Sequence, residues 1–217
     1  VFSGGDSFRP LVTSVLLGFV TVGITVLMGM AAAYAVARSS FARWGKKALE
    51  FVSTFPMAIP GTVVGINILL AFSAPHFFTG GVVLAGTGAA LVLAYCTRTL
   101  PFVVQSSSAG FAAIPSDLEE AAATLGAGKL RTALSIFFPL LIPSLISGAV
   151  ITFVTAFGEF PSSALLYTPL VRPASIEVLQ QLRVYGLGSA SALGVIMVAI
   201  SSILLLYGKG RDVAPMG

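Results

Sequence analysis

Five long apolar runs, separated by short polar stretches, set the pattern of this chain; they cover approximately residues 10–37, 51–74, 82–106, 135–157 and 187–207. Each reaches the roughly 20 residues that cross about 30 Å of hydrocarbon as an α-helix. A membrane β-barrel would show short segments of alternating polarity instead. The pattern therefore predicts an all-α polytopic membrane helix bundle of about five transmembrane helices, forming a single membrane domain over residues 1–217.

One polar island interrupts it, PSDLEEAAATLGAGKLRTALSIFFP at residues 115–139. Ser116 follows a proline and precedes Glu119 by three positions, the spacing of a capping box that satisfies the free amides of a helix start. A short helix is expected from Asp117. Leu118, Ala121, Ala122 and Leu125 recur at i, i+3, i+4 and i+7 and share one face, while Asp117, Glu119, Glu120 and Thr124 lie largely elsewhere. Gly126 is placed to end the helix in the left-handed conformation, and Gly128 loosens the chain again. A second apolar segment with Pro139 and Pro143 follows.

Glu120-Ala121-Ala122, Gly126, Ile136 and Pro139 fall at the spacing of the EAA loop, and the chain resembles the type I ABC importer permeases that carry it. Phe138 departs from the leucine usual before the final proline, a conservative apolar change. The resemblance implies that Glu119, Glu120, Ala121, Ala122, Gly126, Ile136 and Pro139 form a cytoplasmic coupling helix and its flank, seated in a cleft of a separate ATPase subunit. It implies that ATP and magnesium belong to that ATPase and no cofactor to this chain. The other implied partners are a second permease half, identical or homologous, and a periplasmic or extracellular solute-binding protein. The implied location is the bacterial inner membrane. Two alanines permit close backbone approach, and a capped helix is ordered before it docks, which lowers the cost of binding.

Composition narrows the choice. Hydrophobic residues make up 56% of the chain and charged residues 9%, with a mean hydropathy of +0.98; globular domains carry about a quarter charged residues. The chain belongs in a lipid bilayer. Its net charge of +4 does not indicate nucleic acid, because the basic residues cluster at the ends of apolar runs, where they set topology. Arg38, Arg43, Lys46, Lys47, Lys129, Arg131, Lys209 and Arg211 share one side if there are five crossings, against Arg9, Arg172 and Arg183 on the other. The positive-inside rule then puts the loop at 115–139 and the C-terminus in the cytoplasm and the start outside. The chain opens at Val1 without a signal-peptide pattern, so an outside start predicts a preceding inside-to-outside helix. With a single EAA-like loop, the chain is expected to supply one half of a pathway.

Within the spans, Gly18, Gly23, Gly29, Gly61, Gly65, Gly148, Gly188 and Gly194 are read as close-packing positions between helices. The run from Phe55 to Gly61 carries Pro56 and Pro60, which free backbone carbonyls, and is followed by Asn67. It either lines the pathway or forms a packing kink, and Asn67 either serves that path or bonds across helices. Arg98, inside the third run, is a pathway or gate candidate; its rival readings are snorkelling to an interface or pairing with a carboxylate. Gly158 and Glu159 stand beyond the fourth run, where similar permeases have a turn beside the gate. The competing reading of Glu159 is a solvated loop carboxylate paired with Arg172 or Arg183. Residues 161–186 are expected to lie outside, with Ser175 capping a short helix through about Tyr185, on a surface able to meet a binding protein.

Catalytic chemistry finds little support. Gly128-Lys129 resembles the end of a phosphate-binding loop, but Ala123 stands where the first glycine belongs and Leu130 where Ser or Thr would hold magnesium. His76 and Cys96 are single residues of their kinds and form no closed zinc site or internal disulfide. No nucleophile, base and orienter set can be assembled. Two classes remain: a transport subunit, and an intramembrane enzyme or scaffold that uses Arg98 and Glu159 as buried polar groups. The stretches FGEFPSSALLYTP and ASIEVLQQLRVYGLGSASALGVIM are similar to the permease group for ferric iron, thiamine, polyamines and phosphonates, nearest to ferric iron.

Overall fold

A computed structural model describes residues 8–38, 43–75, 77–115 and 117–212, which are helix and loop without any strand. Four helices or helical runs are long and apolar enough to cross a membrane, and a fifth crossing is available if one bent pair counts as a span. Three elements form the centre: α1 (Arg9–Arg38), α4 (Gly88–Ala113) and α7 (Phe138–Phe157), each packed against the other two. α10 (Leu187–Asp212) closes the bundle against α7 and α9 (Ala174–Val184). It turns Val195, Val198, Ile203 and Leu206 outward, as a helix facing lipid does.

Small residues let the central helices touch. A Cβ at Gly29 would lie 2.7 Å from Val103 Cγ1, which brings α1 onto α4, and one at Gly148 would lie 3.2 Å from Val103 Cα, which brings α7 onto the same turn. The packing reading of the glycines therefore holds for Gly18, Gly29, Gly61, Gly65 and Gly148, but not for Gly23, Gly188 and Gly194, whose positions have no neighbour within 4 Å. Gly110 is the tightest contact and escaped sequence reading: a Cβ there would meet Ser144 Oγ at 2.6 Å and Leu141 Cδ2 at 2.8 Å. Gly110→Leu is expected to destabilise the bundle by about 1–3 kcal/mol, as overpacking does. Gly23→Leu is the near-neutral control, and thermal unfolding midpoints in detergent compare the two.

The second predicted span is not one helix. α2 (Arg43–Thr54) leads into a 3-10 turn at Phe55–Ala58, and α3 (Gly61–Ala71) leaves at 105° to it. Ile59 precedes a proline and is extended (φ −88°, ψ 127°), since the α conformation would clash with the Pro60 ring. Pro60 then caps α3 from outside. The third span is shifted: residues 82–87 are loop, with Gly80, Gly81 and Gly86 at positive φ, and α4 runs on to Ala113 before Ile114 turns extended ahead of Pro115. Its polar stretch from Gln105 to Ser108 continues the helix because Ser107 is buried in the bundle.

α5 (Asp117–Thr124) begins at the expected residue, while Ser116 and the Glu119 side chain of the expected capping box lie outside what is described. A short α6 (Lys129–Thr132) and a π-helical stretch (Ala133–Phe137) lead into α7, with Phe138 N–H donating to Ala133 O five residues back. The wide turn lets the helix absorb Pro139, which lacks an amide and stands second in α7, where none is needed. Beyond α7, α8 (Ser163–Leu166) and α9 fold back over the bundle end.

Candidate functional site

Two groups of the expected residues come together, while Asn67, Pro56 and Pro60 stand outside them. The first group is a buried polar cluster centred on Arg98, in the first half of α4, and Glu159, two residues past α7. Arg98 Nε donates to Glu159 Oε2 at 3.1 Å, and Arg98 Nη1 donates to the Ile59 carbonyl at 3.3 Å. The carbonyl freed at the bend of the second segment thus finds its partner in the one arginine of the third. Glu159 is 5% exposed and Arg98 25%, so each charge depends on the other for what water no longer supplies.

The carboxylate is satisfied further by its own turn: Ser162 donates to Glu159 Oε1 through Oγ at 2.7 Å and through its amide at 3.3 Å. The Glu159 carbonyl accepts from Ser163 Oγ at 2.6 Å and from Ser175 Oγ at 2.8 Å. Tyr95 OH and Ser163 Oγ are 2.6 Å apart. Ser163 has one hydroxyl proton, already given to the carbonyl, so Tyr95 is the donor. The cluster ties α3, α4, α7, α8 and α9 at one level.

The glycines of α3 make room for it. A Cβ at Gly61 would lie 2.9 Å from Arg98 Nη1 and 3.0 Å from Pro161 Cβ, and one at Gly65 would lie 3.1 Å from Ser162 Cα. Gly61-x-x-x-Gly65 is therefore the seat of the turn that carries Glu159, rather than a contact between two long helices.

Several expectations change here. Glu159 is not a solvated loop carboxylate paired with Arg172 or Arg183; burial brings it to Arg98. Arg172 Nε instead approaches Glu177 Oε2 at 2.9 Å, an ion pair that lacks the alignment of a hydrogen bond. Ser175 does not cap α9, which begins at Ala174 with Pro173 before it, because its hydroxyl is drawn to the Glu159 carbonyl. Asn67 is exposed on α3 and, among the described residues, makes no bond across helices, and Pro56 and Pro60 shape the bend without joining the cluster. Gly158 caps α7 at φ −93°, a conformation open to any residue. Tyr95, Ser162, Ser163 and the Ile59 carbonyl were missed. The available signals were Tyr95 one turn before Arg98 and the serine pair just after Glu159.

The second group is the α5 knob. Gly126 has φ +78°, its amide donates to Ala123 O at 2.9 Å and the Ala127 amide to Ala122 O at 2.9 Å. This pair of bonds is a Schellman closure, which consumes two carbonyls otherwise left open. Ala122 is buried, but Leu118 is 38% and Leu125 88% exposed, and Glu120 and Ala121 are exposed too. The apolar face expected on α5 is thus not spent inside this chain. Ile136, in the π-helical stretch, packs on an inner core of Ala33, Phe111, Phe137 and Leu141, while Pro139 is exposed. Fifteen residues of α4 separate Arg98 from its end at Ala113, a helical rise of about 22 Å.

A cavity of about 520 Å³ lies beside the start of α5, lined by Ala33, Val36, Ser108, Phe111, Ile114 and Pro115. One of about 290 Å³ is lined by Arg9, Thr13, Leu170 and Arg172. Among the described residues, no three His, Cys, Asp or Glu side chains gather as metal ligands would.

Residues 11–209 match the model of the family described as binding-protein-dependent transport system inner membrane component. The chain is 32% identical over 202 residues to a ferric transport system permease protein of Actinobacillus pleuropneumoniae, covering 93% of this chain but only 28% of that protein. It is 32% identical over 188 residues to a molybdate/tungstate transport system permease protein of Thermococcus kodakarensis, covering 87% and 72%. The fold is shared with a bacterial ABC transporter involved in import of the polysaccharide alginate, at TM-score 0.78, 16% identity and 98% and 82% coverage. It is shared also with the MetNI methionine ABC transporter, at TM-score 0.73, 16% identity and 95% of both chains. This chain belongs to the family of binding-protein-dependent transport system inner membrane components.

Proposed function

We propose that this chain is a membrane-spanning permease half of a type I ABC importer, moving a small solute handed over by a soluble binding protein, with ATP hydrolysed on a separate subunit. The observation that carries the reading is α5: a helix closed at its C-terminal end, outside the bundle, whose Leu118, Ala121 and Leu125 remain exposed. Such a knob is ready for a cleft in a partner, and the exposed Glu120 carboxylate offers an acceptor beside it. Ile136 and Pro139 join the knob to α7, so a push on α5 reaches the central helices as rigid-body movement. The orientation follows from the basic residues: α5 and the C-terminus cytoplasmic, the start of the chain outside. ATP and magnesium belong to the ATPase.

Arg98 and Glu159, with the bend at Pro56–Pro60, stand as the gate region. Their charges cancel, so the pair holds neither a cation nor an anion, and selection falls to the binding protein. Ferric iron and molybdate-like oxyanions, named for the relatives, are the two cargo classes.

Glu120→Lys tests the reading. It places a cation at the docking edge without touching the bundle, and should lower ATPase recovered with the purified permease by about tenfold, a change of about 1.4 kcal/mol in binding. Full recovery of ATPase with ATP-coupled uptake intact would remove α5 as the docking element.

A further inference from the structure

α2 is the most sharply amphipathic element, and most of its surface is left unused by the rest of the fold. At helical spacing Arg43, Lys46, Lys47 and Glu50 fall within a sector of about 100°, and Trp44, Ala48, Phe51 and Val52 fill a neighbouring sector of about 100°. The apolar sector is uncovered: Trp44 is 84%, Phe51 63% and Val52 66% exposed. Only the third edge, marked by buried Ser53, turns inward, toward α1 and α4. The 105° bend keeps α2 out of line with α3. Gln105 Nε2 lies 4.0 Å from Met57 Sδ, eight residues from the end of α4, so the turn that follows α2 meets α4 about 12 Å from that end. A helix set at 105° to the one that follows it, aromatic on one side and cationic on the next, has the form of an interfacial helix.

We propose that α2 lies in the plane of the membrane surface and binds anionic phospholipid headgroups through Arg43, Lys46 and Lys47, with Trp44 and Phe51 seated in the acyl chains beside them. Three cations against one carboxylate, Glu50, set the preference for an anionic headgroup, as a basic segment at a membrane surface does. That the leaflet is the cytoplasmic one rests on the orientation proposed above; the lipid contact does not.

Trp44 is the single tryptophan of the sequence and reports on its own surroundings. The full-length permease is reconstituted in vesicles containing brominated phosphatidylglycerol or brominated phosphatidylcholine, with Trp44→Phe as the blank for any tryptophan elsewhere in the polypeptide. Quenching by both lipids is expected, stronger for phosphatidylglycerol by about fivefold, the effect of one cation near an anionic surface. The preference should vanish in the Arg43→Gln/Lys46→Gln/Lys47→Gln variant. It should also fall in the unaltered protein as salt is raised, which keeps the test informative if the variant does not fold. Emission typical of water with no quenching, loss of quenching when two permease halves pair, or equal quenching by both lipids would each overturn the proposal. Vesicle leaflets are alike in composition, so labelling of a Lys47→Cys variant from the outer face of cells would reverse the orientation while leaving the lipid contact standing.

Discussion

Glu159→Ala is expected to destabilise the permease by roughly 3 kcal/mol, the lower end of the range for removing one partner of a buried ion pair, because Arg98 keeps 25% exposure and can recruit some water. The substitution leaves the guanidinium with the Ile59 carbonyl alone and strips Ser162 of the acceptor for both its hydroxyl and its amide. Glu159→Gln should cost less, since Ser162 keeps an acceptor, but it leaves the arginine charge uncompensated. The double variant Arg98→Met/Glu159→Leu should recover part of the loss, because no buried charge is left unpaired, while Ser162 and the Ile59 carbonyl still lack their partners. A thermal double-mutant cycle in detergent measures the coupling; additive single effects would mean that the pair does not act as a unit. ATP-coupled uptake by the same variants separates the two remaining roles. If the folded Glu159→Gln protein transports with unchanged kinetics, Glu159 positions the bend and has no part in gating.

The second large effect is expected at Gly126. A valine there finds open space, with no atom within 4 Å of its Cβ, so the whole penalty is backbone: φ of +78° is a conformation that a β-branched residue resists. The cost is about 1–2 kcal/mol, and it falls on the Schellman closure that ends α5, far from the central packing. Each 1.4 kcal/mol shifts a docked population about tenfold. Gly126→Val should therefore leave the unfolding midpoint of the bundle almost unchanged while uptake falls by about tenfold. Gly128→Val, at a glycine with normal φ and equal open space, is the control. A parallel fall in midpoint and uptake would show that the knob is part of the core instead.

Hydrophobic run length located the crossings, because a helix in lipid must be long and apolar whatever its neighbours are. It failed where local chemistry and tertiary contact compete. Residues 82–87 read as span, yet Gly80 and Gly81 just before them and Gly86 among them, all at positive φ, hold the chain in a loop there, and the Gln105–Ser108 stretch read as exit, yet Ser107 is buried against other helices. Pro56 and Pro60 announced an interruption, but a bend of 105° depends on where α3 is held, and the Arg98 guanidinium across Gly61 helps to hold it. Arg98 and Glu159 were each conspicuous as charges at apolar surroundings. Their pairing spans 61 residues, and no local pattern in one sequence encodes it. The Gly126 stop was legible because its requirement is local: only a glycine adopts that φ without strain.

The Glu159 carbonyl takes two hydroxyls, one from the start of α8 and one from the start of α9, while its carboxylate grips Arg98. α9 therefore has no slack against α4: tugging it outward by an ångström must either snap a short bond to that single oxygen or drag the guanidinium off the Ile59 carbonyl. A docked protein leaning on α9 would be felt at the bend directly, through one residue.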